Sequence, residues 1–358
     1  MKEDINKETQ LIEIIKILAP GRPLREGLEN ILKAKTGGLI VIGDSELVMD
    51  MVDGGFAINV DFSPAYLYEL AKMDGAIIIS YDAKHILYAN TQLMTNPSIP
   101  SSETGIRHRT AERVAKETGQ TVISISQRRN IISLYRGYTK YIVQDTNKIL
   151  TKANQAIQTL EKYKVVLDQA MTNLSALEFE KLVTVYDVAL VLQRTEMVMK
   201  IVIEIEKYIC ELGNEGRLVS MQLEELVANV KDDGRSVVLD YNINEGMDAK
   251  DVNQLIKALS SEELLDLSNI AKILGYGGAA SELDNAISPR GYRLLSKIPR
   301  LPRSVVENLV NQFPSFQKIL KASIEKLDEV EGIGEIRARA IKEGLRRLQE
   351  QVLLDRHI

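Results

Sequence analysis

Two short stretches carry the residue types that could do chemistry, Asp74-Gly75-Ala76 and Arg107-His108-Arg109-Thr110. Between them runs Ser101-Ser102-Glu103-Thr104-Gly105, too polar and too turn-prone for a core, and the second stretch opens the helix that follows. The first turn of a helix presents unpaired N–H groups and the positive end of its dipole, and arginines add fork-shaped donors that grip phosphate oxygens in pairs. Cations at a helix N-terminus oppose the dipole unless an anion compensates them, and a triphosphate would. Spacing alone leaves a second reading open at each place: Asp74-Gly75 as a plain turn, and the arginines as a solvated helix entry. Arg128 and Arg129 are either further phosphate ligands or a solvated turn. No G-x-x-x-x-G-K-[ST] occurs, which excludes a P-loop.

The elements that must position these residues follow from periodicity. Leu11 to Leu18 and Pro23 to Lys35 have helical spacing, the second with Leu24, Leu28, Ile31 and Leu32 inward. Leu39 to Ile42 is an apolar strand, and Ser63-Pro64 starts a helix with Leu67, Leu70 and Ala71 on one face. Asp74-Gly75 then turns the chain into a buried strand, Ala76 to Ser80, with Ile86 to Ala89 as its hairpin partner. A helix from Arg107 to Thr118 stops at Gly119, and strands Thr121 to Ser126 and Asn130 to Tyr135 flank Gln127-Arg128-Arg129. Strands, hairpins and helices in this order predict an α/β domain, a mixed sheet with packed helices, over residues 1–145.

From Thr146 the period changes. Leu150, Ala153, Ile157, Leu160, Lys164, Leu167, Met171 and Leu174 recur at three and four residues, which predicts a long packed helix leading an all-α middle domain over 146–288. Further helices are expected at 178–211, 215–232, 248–259 and 261–274, the last with a capping box at Ser260-Ser261-Glu262-Glu263. No catalytic constellation lies among them, so the middle reads as a spine. Residues 275–303, rich in Gly, Pro and Arg, read as a linker, and 289–358 as an α-helical third domain. There Leu327 to Ile341 resembles a helix-hairpin-helix DNA-binding element: Gly332 and Gly334 let the backbone turn and approach a phosphate, Ile333 anchors the hairpin, and Arg337 and Arg339 stand close by.

Composition agrees. With 358 residues, 45% hydrophobic and 27% charged, the chain has the make-up of an ordinary globular protein of two or three domains. No apolar stretch approaches the ~20 residues that span a bilayer, and no apolar run follows Met1-Lys2-Glu3-Asp4, so neither a membrane partner nor a signal peptide is expected and the location is cytoplasmic. The single cysteine, Cys210, excludes an internal disulfide and reads as core; with only three histidines it also excludes the common zinc clusters. From Arg290 to the end there are 14 Lys+Arg against 9 Asp+Glu, a balance of +5 that leaves −10 of the net −5 on residues 1–289. A basic end on an acidic body points to nucleic acid.

Asp74-Gly75-Ala76, the run Ala89 to Leu93, and Ser101 through Arg113 resemble the signature of diadenylate cyclases. The resemblance covers nearly the whole length, in the branch that joins a cyclase to a helical middle and a helix-hairpin-helix end. It implies that Asp74 holds a divalent metal, Mg2+ or Mn2+, and helps to activate a ribose 3'-hydroxyl. It places Arg107, Arg109 and Thr110 on phosphate or ribose, Leu93 at adenine, and His108 near the reacting groups, with Gly75, Ala76 and Ile106 in the same ATP site. Gly75 is then expected to clear the backbone for a base or sugar. The implied reaction joins two ATP into cyclic di-AMP and pyrophosphate across facing domains of a homodimer, within a homo-octamer. Branched DNA such as Holliday junctions, in the nucleoid, is the implied partner, with cyclase activity falling on binding through the helix that starts near Leu150. The alternative is a non-catalytic junction-binding protein with a regulatory nucleotide site. A two-metal polymerase centre is disfavoured because no paired carboxylates flank Asp74.

Overall fold

The computed structural model describes Ile15, residues 17–244 and residues 246–355. It divides into two compact units, residues 1–154 with 206–220, and residues 155–205 with 221–358. The helix expected over Leu11 to Leu18 falls mostly outside the described residues.

The first unit is built on an eight-stranded sheet ordered β2-β5-β4-β1-β6-β7-β8, with β3 also pairing with β5. These strands are β1 (Gly38–Ile42), β2 (Val52–Asp53), β3 (Phe56–Asp61), β4 (Ala76–Ile79), β5 (His85–Leu93), β6 (Thr121–Ser126), β7 (Ile131–Arg136) and β8 (Thr139–Val143). Only β1 and β4 run parallel; every other pairing is antiparallel. Both central strands are apolar throughout because both of their faces are covered. Ile40, Ile42, Ile77 and Ile79 pack with Leu28 and Ile31 of the helix Pro23–Lys33 and Leu67 of the helix Pro64–Leu70. Leu39, Val41, Ala76 and Ile78 pack on the other face with Ala111, Val114 and Ala115 of the helix Ile106–Thr118. The mixed sheet with packed helices is as expected. Strands β2, β3 and β8 were not foreseen: none of their residues is fully buried, so no apolar run marks them in the sequence.

The helices after the sheet lie mostly where the periodicity puts them, beginning with Thr146–Glu180, which passes from the first unit into the second and along which Ala153, Ile157, Leu160, Leu167, Met171 and Leu174 are buried. Lys164, the break in that seam, instead pairs with Asp168 one turn on. Three expected helices differ, two of them by local capping. Val185–Leu212 starts late because Thr184 and Asp187 cap each other, with Thr184 N donating to Asp187 Oδ2 at 2.9 Å. The stretch expected over 261–274 is two helices, since Asp266 turns the chain and accepts from Ser268 N at 3.0 Å. The span 215–232 likewise breaks, between Val227 and Val230. The capping box at Ser260 and Glu263 is present. Cys210, expected in the core, is half-buried.

Residues 275–303 are not the exposed linker that their composition suggests. A short helix, Tyr292–Ser296, places Arg293 at 0% exposure, where it meets Glu178 in an ion pair and donates to Ser175 Oγ at 3.0 Å. Glu178 also accepts from Tyr241 at 2.7 Å. Asp240 closes the cluster by accepting the backbone N–H groups of Gly291, Tyr292 and Arg293 at 2.7, 2.6 and 3.0 Å. Burial, then the nearby Glu178 charge, pushes the Asp240 carboxyl up to about 7 against the pull of those donors. Arginine looks like a surface residue in composition; here its side-chain partners, Ser175 and Glu178, are more than a hundred residues away in sequence.

Breaking a buried ion pair on one side leaves the other charge uncompensated, at a typical cost of about 3–5 kcal/mol. Arg293→Met should therefore lower helical stability by about that much in denaturant titrations followed by circular dichroism. A loss below ~1 kcal/mol would contradict the cluster's role, being the size of an exposed pair.

Candidate functional site

Asp74 and Arg107 are brought together. Asp74 ends the turn into β4, and its side chain is 97% exposed; Arg107, in the first turn of the helix Ile106–Thr118, donates to its Oδ1. Gly37, just before β1, leaves the space: a Cβ there would stand 2.0 Å from Arg107 Nη1. That helix has Gly105 as its N-cap, with no side-chain cap and no acidic residue in its first turn, so nothing in that turn offsets its free N–H groups and its cations.

The loop before the helix is fastened by the helix itself. Ser101 Oγ donates to Glu112 at 2.5 Å, Arg113 donates to the carbonyls of Ile99 at 3.0 Å and Pro97 at 3.1 Å, and Lys116 to that of Pro100 at 2.8 Å. Glu103 is the deeper anchor. It is 8% exposed, accepts from Tyr135 Oη of β7 at 2.9 Å, and is paired with Lys140 of β8. Burial opposes its ionisation, but the bonds from Lys140 and Tyr135 outweigh this, and the carboxyl lies below the usual range. Burial, reinforced by Lys140, Arg129 and Arg107 against the pull of Glu103, holds the His108 imidazole below its ordinary value. It is therefore neutral near pH 7, and its Nε2 is buried without a protein partner.

The other expected residues divide by role. Arg109 is exposed and donates to the Glu103 carbonyl at 3.3 Å; Thr110 is half-buried, and Ile106 is 83% exposed at the helix start. Arg128 and Arg129 are exposed in the β6–β7 turn, Arg129 within electrostatic reach of His108. Leu93, at the end of β5, is half-buried against the cluster beneath the sheet. The Ala76 side chain is buried at 2%, so only its backbone could face a ligand. Gly75 answers to the protein: a Cβ would stand 2.3 Å from the Asn90 carbonyl carbon, and Gly75 N donates to Asn90 Oδ1 at 3.1 Å. Asn90 itself sits at φ 56°, in the irregular register between β4 and β5. Gly37, Glu103, Tyr135 and Lys140 were not foreseen as site residues; of these only Glu103, embedded in the polar run, had a sequence signal.

In the C-terminal region Gly332 has φ 82°, which favours glycine, whereas a Cβ on Gly334 would meet nothing within 4 Å. Ile333 is buried, Arg337 donates to the Gly332 carbonyl, and Arg339 pairs with Glu335 at 2.6 Å.

Family models match in sequence order. Residues 25–139 match the DisA bacterial checkpoint controller nucleotide-binding model, 143–283 the DisA bacterial checkpoint controller linker region, and 292–347 the SAM-like helix-hairpin-helix tandem. The DNA integrity scanning protein DisA of Clostridioides difficile is 61% identical over 99% of this chain and 100% of its own length. That of Carboxydothermus hydrogenoformans is 61% identical over 96% of this chain and 98% of its own, and that of Clostridium botulinum (strain Loch Maree) 58% over 98% and 99%. Sheet, site and matches together define a diadenylate cyclase that ends in a helix-hairpin-helix region. The chain belongs to the DNA integrity scanning protein DisA family. No helix among the described residues is long and apolar enough to cross a membrane.

Two substitutions test this geometry. Gly75→Ala must displace β5 or Asp74, at an overpacking cost of about 1–3 kcal/mol of stability, so both the melting temperature and ATP affinity should fall; if both hold, the close approach to Asn90 is wrong. Glu103→Gln should loosen the loop at neutral pH. The depressed carboxyl stabilises the fold above its unfolded value of 4.5 and loses that contribution as pH falls through the lower folded value. Wild type and variant should thus converge in acid when melting is followed against pH, and a constant gap would contradict the assignment.

Proposed function

We propose that this cyclase joins two ATP molecules into cyclic di-AMP, each ATP held by one of two facing domains of a homodimer, itself part of a homo-octamer. The observation that carries the reading is the exposed Asp74 carboxylate held by Arg107 at an uncapped, cationic helix start. One carboxylate amid surplus positive charge suits a polyphosphate. Each 3'-hydroxyl attacks the α-phosphorus of the facing ATP: a bond forms from the 3'-oxygen, the bond to the β,γ group breaks, pyrophosphate leaves, and the hydroxyl proton is released. One domain with one nucleotide cannot close the ring, so a second copy is required by the chemistry.

In this reading Arg107 and Arg109 bind phosphate, Thr110 bonds phosphate or ribose, and Arg128 and Arg129 extend the cationic rim. Leu93, Ile106 and the backbone of Gly75 and Ala76 border the adenine. His108, neutral and with Nε2 unengaged by the protein, can donate a hydrogen bond or accept a proton. Mg2+ or Mn2+ fits the donor set: such cations bind through one or two carboxylates together with substrate phosphates. Asp74 supplies one carboxylate, and no group of three His, Cys, Asp or Glu that could hold a metal exists among the described residues. A cation held there would neutralise charge on the phosphates and acidify the 3'-hydroxyl.

Residues 1–145 form the cyclase domain, 146–288 the spine and 289–358 the DNA-binding domain. Gly332, Gly334, Arg337 and Arg339 contact the DNA backbone, preferably of four-way junctions in the cytoplasmic nucleoid, and binding lowers the cyclase rate. Support comes from the names of the relatives, which refer to DNA integrity scanning, and from the open space at Gly334.

Asp74→Asn should keep ATP binding and lose synthesis, since the amide keeps the shape and lacks the charge; near-normal product by mass spectrometry would sink the role. Arg107→Ala and Arg109→Ala should each weaken ATP binding by about 1.5–3 kcal/mol, the worth of a charge-assisted hydrogen bond. Unchanged calorimetric titrations would return them to a solvated helix entry.

A further inference from the structure

Residues 295–309 and 327–341 repeat one pattern 32 positions apart. Leu295 matches Leu327, Ile298 matches Val330, Val306 matches Ala338 and Leu309 matches Ile341, and all eight are buried. The backbone repeats as well. Leu301 N donates to Ile298 O as Ile333 N does to Val330 O, and Val306 N to Pro302 O as Ala338 N does to Gly334 O. Arg300, at φ 62°, falls on Gly332, at φ 82°. The segment Ile298-Pro299-Arg300-Leu301-Pro302 is therefore a second hairpin of the same construction.

Its chemistry is reversed. Residues 297–303 carry Lys297, Arg300 and Arg303 and no acid, whereas the matching residues 329–335 carry Glu329, Glu331 and Glu335 and no base. Pro302 stands where Gly334 offers an N–H, so this hairpin has lost a backbone donor and gained side-chain cations. A left-handed backbone is strained for any residue but glycine and its near substitutes, and such strain persists where the side chain is needed. Arg300 and Arg303 are both exposed. A groove of ≈ 830 Å³ has Ile298, Pro299 and Arg300 on its lining together with Gly334, Ile336 and Arg337, so the two hairpins share one groove with an arginine from each.

We infer that Arg300, with Arg303 beside it, is a phosphate contact for duplex DNA and the main electrostatic one of a two-hairpin interface. The Gly332-Ile333-Gly334 hairpin offers the Gly334 backbone N–H among three glutamates, with Arg337 bonded to the Gly332 carbonyl; the Arg300 hairpin offers guanidinium where proline has removed an N–H. This rests on the reading that the C-terminal region binds DNA.

The test is fluorescence anisotropy of the full chain with a labelled four-way junction and a linear duplex, each across a salt series. Arg300→Gly places the favoured residue in the left-handed turn, so its melting temperature should hold or rise. Its DNA affinity should fall by about tenfold or more, and the slope of log K against log salt should flatten by about one. Arg300→Lys, which keeps the charge, should keep the slope. Unchanged affinity in Arg300→Gly would overturn the inference, and so would a weaker complex of unchanged slope, because the lost contact would not be to phosphate. If the unsubstituted chain binds neither DNA, the DNA-binding reading itself fails, and this inference with it.

Discussion

A carboxylate and a guanidinium meet where the turn into β4 faces the first turn of the helix Ile106–Thr118, and the surrounding architecture serves that meeting. Asp74 is almost wholly exposed, so its position is fixed through its neighbours rather than by burial. Gly75 packs against the backbone of β5, Gly37 leaves room for Arg107, and Glu103 ties the approach loop to β7 and β8 through Tyr135 and Lys140. The apolar central strands beneath supply the rigidity. Their alternate residues lock into separate clusters on the two faces, so the strand end and the helix start are held from below. A helix start crowded with cations is unfavourable alone, and the Asp74 carboxylate beside Arg107 offsets part of that charge.

This division explains what the sequence made legible. Fully buried strands announce themselves as apolar runs, and β1 and β4 are found where those runs lie. The αL stop at Gly119 and the Ser63 cap could be read from single residues. The motif residues stood out because nothing in a core calls for Arg107-His108-Arg109. Residues that hold those residues did not: Tyr135 and Lys140 lie in ordinary strand sequence, and Gly37 resembles any helix-breaking glycine. At Gly75 the structure adds a neighbour that spacing could not show, the backbone of β5.

The helical unit shows the same limit from the other side. Spacing found its helices but not the breaks at Thr184 and Asp266, where short-range capping overrides a continuous periodic pattern. Composition made residues 275–303 a linker because proline, glycine and arginine usually mean exposed chain. Arg293 is buried there because Glu178, Ser175 and the carboxylate of Asp240 surround the short helix that carries it. Only folding brings such partners together. A repeat spread over 32 residues is likewise faint in sequence when Arg300 and Pro302 stand at the positions matching Gly332 and Gly334, and becomes plain once the two backbones are compared.

The account stands on the claim that two nucleotides react with each other, so the most direct measurement is of stoichiometry. The full chain is incubated with ATP and Mg2+, nucleotide products are identified by mass spectrometry, and pyrophosphate is quantified in the same sample. The account predicts cyclic di-AMP with two pyrophosphates for each molecule formed. Recovery of unchanged ATP, or of ADP or AMP without cyclic dinucleotide, would contradict it.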